Sequence, residues 1–586
     1  MVAHSSQGHD GSMIMEVWAP DASSVELVLD GVAHPMERKD LGKWAVEVPA
    51  EPGMRYGYRL DGGDPLPDPR SNCQPDGVHE LSELIDHRSF DWADQAWAPP
   101  AFEGWIIYEL HIGTFTQEGT FDSAIEKLDH LVHLGITAVE LMPVNSFPGK
   151  RGWGYDGTSL FAPQHSYGGP EGLKRFVDAC HSRGLATILD VVYNHLGPSG
   201  NYLPRFGPYF TNAYSTPWGD AINLDGPGSD EVRAFIVGNA LHWFVNYHFD
   251  ALRIDAVHAL LDRSPKHLLE EISESVQILS ERLGRPLHLI AESDLGDPRV
   301  ITPIDKGGWG MDAQWNDDFH HALHAVLTGE RDGYYLDFGN IEQLAQALKA
   351  AWVYQGAYSR FRGRSHGRPH EGASGSRFLA YSQTHDQVGN RAQGERLSML
   401  VDENAARVAA ALVLMSPFIP MLFMGEEWGA RTPWLYFTDH DDPELGKAVS
   451  EGRRHEFAAF GWDPAEVPDP QDPATFERSK LDWAELQNAF HAQMHDLYKK
   501  LIALRRSHPD LTDGSLEKVT VEYDEEQRWL VMYRGSLAIA CNLSATSTSF
   551  PLTGELLLAT EPEFTQQGGG TLTLGPESAA ILHLSQ

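Results

Sequence analysis

Charged residues end an apolar segment near the middle of the chain. In Asp250-Ala-Leu-Arg-Ile-Asp-Ala-Val-His258, Arg253 and Asp255 follow a run of apolar residues. They are two residues apart, so on a β-strand their side chains point to the same face. Such a pair is either a structural ion pair or part of a site at which a carboxylate does chemistry. Taken alone, the structural interpretation is slightly favoured, because charged pairs near strand ends are common.

Three other segments place polar residues after an apolar strand-like run. They are Asp190-Val-Val-Tyr-Asn-His195, Glu292-Ser-Asp294 and Thr384-His-Asp-Gln-Val-Gly-Asn390. The first segment and the last two of these supply three carboxylates, Asp255, Glu292 and Asp386, that would converge if the strands shared one sheet. Burying that much charge without a function would cost far more than it returns. The set therefore favours a catalytic site.

Eight apolar runs alternate with amphipathic helices after a proline-rich boundary near residue 100, a pattern typical of parallel β/α architecture. The runs cover residues 105–110, 138–143, 185–192, 251–255, 287–292, 311–315, 378–382 and 420–424. One helix is predicted over 121–134, ending at Gly135, and another from Ser264-Pro265 to Gly284. This order predicts an α/β fold, the (β/α)8 TIM barrel, whose active site lies at the carboxyl ends of the strands.

Both ends of the chain are predicted to be all-β. Short alternating segments separated by Asp30-Gly31 and Pro52-Gly53 predict a β-sandwich before the barrel, and similar segments return after Gly514. We predict three domains: an N-terminal β-sandwich over 1–100, the barrel with loop insertions over 101–510, and a C-terminal all-β domain over 511–586. Val17-Trp-Ala-Pro-Asp-Ala22 resembles the opening of the immunoglobulin-like carbohydrate module found ahead of many α-glucan enzymes. Sugar binding and simple packing stay equally open for this domain.

The composition argues against several classes of partner. Lys+Arg 45 against Asp+Glu 83 gives a net charge of −38, which repels nucleic-acid phosphates and anionic lipid. We therefore predict no nucleic-acid and no membrane partner. The three cysteines, Cys73, Cys180 and Cys541, show no metal-ligand spacing, and no metal or other cofactor is predicted. Scattered thiols and the lack of a basic and apolar leader predict a cytoplasmic protein.

The strand-end segments resemble the four signature regions of the α-amylase family, glycoside hydrolase family 13, over about residues 104–427. By that resemblance Asp255 is the nucleophile, Glu292 the general acid/base, and Asp386 a third carboxylate that grips the sugar hydroxyls. Arg253 would hold Asp255 ionised by charge proximity, whereas Glu292 needs an environment that keeps it protonated. The retaining mechanism of the family implies carboxyl groups ~5–5.5 Å apart.

The resemblance also implies residues that contact the sugar in the −1 subsite. Tyr155 matches a tyrosine that stacks on this sugar, and His195 and His385 match histidines that hydrogen-bond it; for each histidine a structural role is the alternative. His258 would form a wall of the site. Asn194 matches a calcium ligand of some amylases, but without a partner carboxylate set a structural hydrogen bond is favoured.

Further segments resemble one group within the family. They are Tyr108-Glu-Leu-His-Ile-Gly-Thr-Phe-Thr116, Arg151-Gly-Trp-Gly-Tyr-Asp-Gly157, Gln314-Trp-Asn-Asp-Asp-Phe-His-His321 and His385-Asp-Gln-Val-Gly-Asn-Arg391. Members of this group hydrolyse the α-1,4 bond next to a terminal trehalose, which implies an α-glucan substrate that ends in trehalose. A glycogen branching enzyme, which transfers the glucan to a sugar hydroxyl, is the nearest alternative. A non-catalytic glucan-binding protein is the alternative from another class.

The same segments supply the remaining predicted substrate contacts, which are Asp317, Asp318, Phe319, His320, His321, Gln387, Asn390 and Arg391. The first five are predicted to lie on the leaving-group side. The alternative for Asp317 or Asp318 is the N-cap of a helix after the sixth strand. Trp218, in the long excursion over 194–230, is predicted either to stack on a sugar or to fix that loop to the barrel.

Overall fold

The computed structural model describes residues 5–7, 12–370, 372–458 and 466–584. Residues 1–4 and 8–11, part of the segment that argued against a leader, lie outside them. The central element is a closed barrel of eight strands in chain order, each parallel to its neighbours. We label these strands β1 to β8: Ile107–Leu110, Ala138–Leu141, Ala186–Val191, Ala251–Ile254, His288–Ala291, Ala313–Trp315, Phe378–Ala380 and Ile419–Phe423. The eight predicted strands and the TIM barrel are confirmed.

The strand register explains why charge collects at one end of the barrel. A small separate core fills the lower interior with apolar residues: Ile107, Ala138, Ile188, Ala251, Ile290, Ala313, Leu379 and Ile419. Residues two positions further along each strand point to the same face. They are Glu109, Glu140, Asp190, Arg253, Glu292, Trp315, Tyr381 and Met421. Five of the eight have an acidic or basic side chain, and we call this group, at the carboxyl end of the barrel, the charged layer.

The α-helices among the described residues surround the barrel or lie in its loops. They are Ile112–Phe115, Phe121–Ile125, Leu128–Leu134, Gly169–His181, Leu203–Phe206, Ser229–Asn246, Leu268–Leu283, Asp317–Thr328, Ile341–Ala350, His385–Gly389, Leu397–Leu400, Glu403–Met415, Pro443–Ala458, Pro473–Arg478 and Ala489–Ser507. Outward-facing strand residues such as Val139, Leu189 and Leu252 join the main core. No helix of the described chain is long and apolar enough to cross a membrane.

Two helix predictions need correction. The single helix predicted over 121–134 is two helices, because the Lys127 N–H bonds the Ala124 carbonyl three residues back and interrupts the α-helical ladder. The second helix starts at Leu268 rather than at Ser264-Pro265, because the Asp262 carboxylate accepts the N–H groups of Ser264 and Leu268 and holds a turn there. Gly135 and Gly284 end their helices in the left-handed conformation, as predicted.

The flanking regions are all-β, as predicted. The N-terminal region has two sheets: Ser5–Gln7, Ser12–Trp18, Lys43–Pro49 and Glu37–Arg38; and Val32–Pro35, Val25–Leu29, Arg55–Leu60, Pro65–Leu66 and Ser82–Glu83. The C-terminal region has a five-stranded sheet, Val519–Asp524, Trp529–Arg534, Leu537–Asn542, Ser578–Leu584 and Gly554–Ala559, and a three-stranded sheet, Thr548–Phe550, Thr571–Leu574 and Gln566–Gly568. The predicted domain limits near residues 100 and 510 stay predictions.

Three hairpins extend the barrel loops. They pair Asn145–Ser146 with Ser159–Pro163, Phe210–Thr216 with Gly219–Ile222, and Gln355–Ser359 with Arg364–Gly367. The second hairpin belongs to the long excursion over 194–230 and carries Trp218 at its turn.

Candidate active site

Arg253, on β4, is the centre of the charged layer. Its Nη1 donates to both oxygens of Asp190, at 2.9 Å each, and to Asp255 Oδ1 at 2.7 Å. Its Nη2 lies 3.9 Å from Glu292 Oε2. The guanidinium also lies over the Trp315 ring, 4.2 Å from its centroid. One buried cation thus brings three carboxyl groups from three neighbouring strands together.

Glu292 differs from Asp255 in its surroundings. Burial raises the pKa of Glu292 well above its usual value, Arg253 opposes this, and the nearby Asp255 raises the pKa again. Its Oε2 accepts the N–H of Ala256 at 2.6 Å. Ala256 holds a left-handed conformation, with φ 41°, which is uncommon for a residue other than glycine. This strained turn directly after Asp255 aims a backbone donor at the neighbouring carboxyl.

Tyr155 and His385 lie side by side above the layer. The Tyr155 hydroxyl donates to Asp190 Oδ2 at 2.6 Å and lies 2.8 Å from His385 Nε2. The two rings stack, with centroids 5.2 Å apart. On its other side, His385 Nδ1 is 2.5 Å from Glu109 Oε1. These contacts connect β1 to Arg253 through a continuous chain of hydrogen bonds.

Two histidines border the opening. His195 follows β3, and its ring stacks on Trp218 at 4.6 Å with an interplanar angle of 9°. His195 Nδ1 is buried without a hydrogen-bond partner in the described residues, and burial lowers the pKa of the ring. His258 Nδ1 accepts the N–H of Asp294 at 3.4 Å, and burial lowers its pKa too. Both imidazoles are therefore favoured in the neutral form.

Asp386 is exposed on the short helix His385–Gly389, where its Oδ1 accepts from Asn390 Nδ2 at 2.6 Å. Gln387 Oε1 caps the start of this helix by accepting the N–H and hydroxyl of Thr384. Arg391 turns away to Glu330, with two hydrogen bonds of 2.9 Å. Asp386 is thus presented to solvent by side chains that fix its helix.

The two aspartates after β6 are half-buried and accept hydrogen bonds from different neighbours. Asp317 Oδ1 accepts from the Tyr381 hydroxyl at 2.6 Å, and burial raises the pKa of Asp317 to about 7. Asp318 Oδ2 accepts the N–H groups of Val353 and Tyr354, and burial raises its pKa to about 6. Neither aspartate caps the helix, because Asn316 accepts the Phe319 N–H. The alternative that Asp317 or Asp318 is the N-cap of this helix is therefore wrong.

Phe319, His320 and His321 lie inside the protein. Phe319 packs on Phe418, and both ring nitrogens of His320 are hydrogen-bonded, to the Ser382 carbonyl and the Tyr335 hydroxyl, at 2.8 Å each. His321 stacks on Tyr334, with centroids 4.9 Å apart. Their role in substrate contact stays a prediction. Of this segment, only Asp317 enters the proposed mechanism.

Asn194 does not make the structural hydrogen bond predicted for it. Both atoms of its buried amide lack a hydrogen-bond partner within the described ranges. In those same ranges no group of three or more His, Cys, Asp or Glu side chains is arranged to hold a metal ion. We therefore assign this amide no role.

Three members of the charged layer were not among the predicted site residues: Glu109, Glu140 and Asp190. Each is the third residue or later of a buried strand and shares the inward face with an apolar residue two positions earlier. Glu109 and Glu140 occupy paired positions on β1 and β2. Asp190 begins one of the strand-end segments quoted above, whereas Glu109 and Glu140 are lone carboxylates within four-residue strands, a pattern that by itself does not indicate a site.

Models of known families match three parts of the chain. Residues 3–75 match carbohydrate-binding module 48 (isoamylase N-terminal domain), residues 76–212 the alpha amylase catalytic domain, and residues 514–581 a domain of unknown function (DUF3459). The barrel, the charged layer at its carboxyl end and these matches define an α-amylase-type glycoside hydrolase.

Relatives of similar length narrow the assignment. A protein from Mycobacterium tuberculosis named malto-oligosyltrehalose trehalohydrolase is 52% identical over 97% of this chain and 99% of its own length. The crystal structure of a putative alpha amylase from Salmonella typhimurium superposes with a TM-score of 0.92 at 38% identity, covering 99% of both chains. A 1,4-alpha-glucan branching enzyme from Vibrio parahaemolyticus is 33% identical over 52% of this chain and 46% of its own. The chain therefore belongs to the malto-oligosyltrehalose trehalohydrolase family.

Proposed function

We propose that this enzyme hydrolyses the α-1,4 bond next to the terminal trehalose of a malto-oligosyltrehalose and releases trehalose and a malto-oligosaccharide. The observation that supports it is the position of one guanidinium, 2.7 Å from Asp255 and 3.9 Å from Glu292. A cation in hydrogen-bond contact with one carboxylate favours its ionised form, while burial favours the protonated form of the other. An ionised and a protonated carboxyl side by side are what retaining glycoside hydrolysis requires.

In the first step, Asp255 attacks the anomeric carbon of the −1 sugar and Glu292 gives its proton to the glycosidic oxygen. The bond to trehalose breaks, and a glycosyl ester on Asp255 forms. Because Ala256 N–H occupies Glu292 Oε2, we assign the transferable proton to Oε1. Asp386, Tyr155 and His195 would contact the sugar as charge develops on its ring.

In the second step, Glu292 takes a proton from water, and the resulting hydroxide attacks the anomeric carbon. The ester bond breaks, the malto-oligosaccharide leaves with the α configuration, and Asp255 is an ionised carboxylate again. Glu292 regains its proton, so the cycle closes with one water consumed.

The leaving trehalose would lie on the side of Asp317, which is close to Trp315 and Asp294. Carboxylates and aromatic faces suit a neutral, hydroxyl-rich ligand. A cytoplasmic location is part of this proposal, because the three cysteines are free and buried.

The deciding experiment is a product assay on maltotriosyltrehalose. We expect equal amounts of trehalose and maltotriose, with the maltotriose first appearing as the α-anomer in proton NMR spectra. Amylose incubated with the enzyme under the same conditions is the test of the alternative. New α-1,6 branches without trehalose release from the first substrate would show a branching transferase instead.

A further inference from the structure

Glu109 shares its layer of the barrel with Glu292, and its hydrogen bonds go to His385 rather than to Asp255, Glu292 or Asp386. It is on β1, in the charged layer, and is 1% exposed. Its Oε2 accepts the backbone N–H of His385 at 3.0 Å, while its Oε1 lies 2.5 Å from His385 Nδ1. One carboxyl group therefore fixes both the backbone and the ring of His385.

The directions of the hydrogen bonds determine the protonation state of this ring. Arg253 donates to both oxygens of Asp190, which makes that carboxylate an acceptor for the Tyr155 hydroxyl. A hydroxyl has one proton, so the Tyr155 oxygen accepts from His385 Nε2, 2.8 Å away. At the other nitrogen, Nδ1, the partner is Glu109 Oε1, and we take this oxygen as an acceptor because the second oxygen of the same carboxyl group accepts the His385 backbone N–H. Both ring nitrogens of His385 then carry hydrogen, and the ring is an imidazolium.

The electrostatics of the site agree with this assignment. Burial lowers the pKa of His385, but the charge of Glu109 and its hydrogen bond raise it above the usual value. The groups around the ring are Glu109 on β1, Asp386 on the same helix, Arg253 on β4, Asp190 on β3, Tyr155 and His111 in the loops, and the rings of Trp153, Trp315 and Trp434.

We propose that Glu109 is a positioning residue of this site: it holds His385 as an imidazolium and, through the bond to the Tyr155 hydroxyl, fixes the two stacked rings against the sugar. The kinetic part of this inference rests on the proposed function, and the spectroscopic part does not. Without Glu109 the ring is free to lose a proton and to rotate, and Tyr155 loses its second partner.

Glu140 is a matched control in the same layer. It occupies the position paired with Glu109 on the neighbouring strand and is also 1% exposed. Neither of its oxygens has a hydrogen-bond partner in the described parts of the chain. Burial, and then the charges of Glu109 and Asp190, raise its pKa well above the usual range, so it is a neutral acid. Glu140→Gln therefore changes neither a charge nor a hydrogen bond.

The experiment compares Glu109→Gln, Glu109→Asp and Glu140→Gln with the wild type. Protein labelled with ¹⁵N at histidine gives the protonation state of each ring by NMR, and the His385 signal is the one that disappears in His385→Gln. In the wild type we expect both nitrogens of His385 to be protonated at pH 7.5. In Glu109→Gln the ring should lose a proton at lower pH, because the carboxylate charge is gone.

The kinetic readout is kcat/KM on maltotriosyltrehalose across pH. Glu109→Gln should lose roughly ten- to a hundred-fold, the range found when a carboxylate that orients a metal-binding histidine is mutated, with the alkaline limb moved to lower pH. Glu109→Asp should recover part of this, and Glu140→Gln should match the wild type.

A wild-type His385 with one protonated nitrogen would overturn the proposal, and so would equal effects of Glu109→Gln and Glu140→Gln. If Glu109→Gln does not fold, the wild-type spectrum and Glu109→Asp still decide. If the wild type releases no trehalose, the proposed function fails while the NMR titration continues to test Glu109.

Discussion

Strand β4 has one aspartate directly before it, Asp250, and another directly after it, Asp255. At the amino end Asp250 is fully buried and accepts hydrogen bonds from Thr187 N–H at 2.9 Å, Trp97 Nε1 at 2.9 Å and Arg285 Nη1 at 3.1 Å. A fourth neighbour, His181 Nε2, lies 3.1 Å away. Every lone pair of this carboxylate is directed at protein.

At the carboxyl end the surroundings are different. Asp255 accepts a hydrogen bond from Arg253 alone among the described side chains, and it is 13% exposed. Glu292, beside it, is 17% exposed. Asp255 has a cation at one oxygen and no side-chain partner among the described residues at the other, so it can react. Asp250 is enclosed by four partners and only stabilises the fold. The number and direction of partners, more than burial, distinguishes the two ends.

The largest effect should follow from changing the reactive end. Glu292→Gln removes the transferable proton but keeps the shape of the side chain, so kcat should fall by roughly 10²–10⁴-fold. Stability should be nearly unchanged, since a buried neutral acid is replaced by a neutral amide of the same shape. Trehalose release and urea unfolding measure the two. Turnover within a few-fold of the wild type would show that Glu292 is not the acid.

The opposite outcome is expected at the structural end. Asp250→Asn removes the charged partner of Arg285 and one of the two charged partners of His181, which should lower the free energy of unfolding by about 3–5 kcal/mol. The kcat of the folded variant should stay within a few-fold of the wild type. Asp255→Asn is the matched control, with little change in unfolding and loss of turnover. If both asparagine variants lost activity equally, the contrast between the ends would be wrong.

Stability should depend on pH through the structural end. His181 lies between Asp250 and Asp94, 3.1 and 2.9 Å from its ring nitrogens. Burial lowers the pKa of His181, but the two carboxylates more than offset this, and the folded-state pKa is raised. A raised pKa stabilises the fold fully below the unfolded pKa of about 6.5, and this contribution is lost as the pH rises through the folded pKa.

The difference in the free energy of unfolding between the wild type and His181→Gln should therefore become smaller as the pH rises above neutrality. Urea unfolding at a series of pH values from 6 to about 9 measures that difference. His133→Gln, at an exposed histidine, is the control and should give a constant difference. A constant difference for His181→Gln would mean that the imidazole is not charged in the fold.

The sequence predicted the eight strands because each is a short apolar run with a polar end. The two-residue repeat of a β-strand was enough to place Arg253 and Asp255 on one face. It also identified the residues that match family motifs. It missed Glu109 and Glu140 because a carboxylate within a strand has no distinctive local pattern. Register places the two carboxyl groups side by side on β1 and β2. Glu109 meets its partner His385, which follows β7, only when the barrel closes.

The helix starts were harder to predict for a related reason. Ser264-Pro265 has the composition of a helix start, but Asp262 captures the N–H groups there and Arg233 anchors that aspartate at 2.7 Å. Likewise Asn316, rather than the aspartates after it, caps the helix beyond β6. In the first case a tertiary partner, Arg233, holds the competing aspartate, and such a partner cannot be read from adjacent residues. In the second case the cap is the adjacent Asn316, a local signal that the prediction did not weigh.

The smallest expected effect compares two tryptophan–histidine stacks, one at each end of the barrel. Trp97 stacks on His181 at 4.5 Å and 10°, and Trp218 stacks on His195 at 4.6 Å and 9°. Trp218 is 48% exposed, whereas Trp97 is held by its bond to Asp250.

Trp218→Ala should raise KM roughly two- to ten-fold with kcat nearly constant, the range expected for one aromatic contact. Trp97→Ala should leave KM unchanged and lower the thermal midpoint. If Trp218 contacts the sugar, KM should rise after Trp218→Ala and not after Trp97→Ala. A raised KM after both substitutions, or after neither, would mean that Trp218 fixes its loop rather than the sugar.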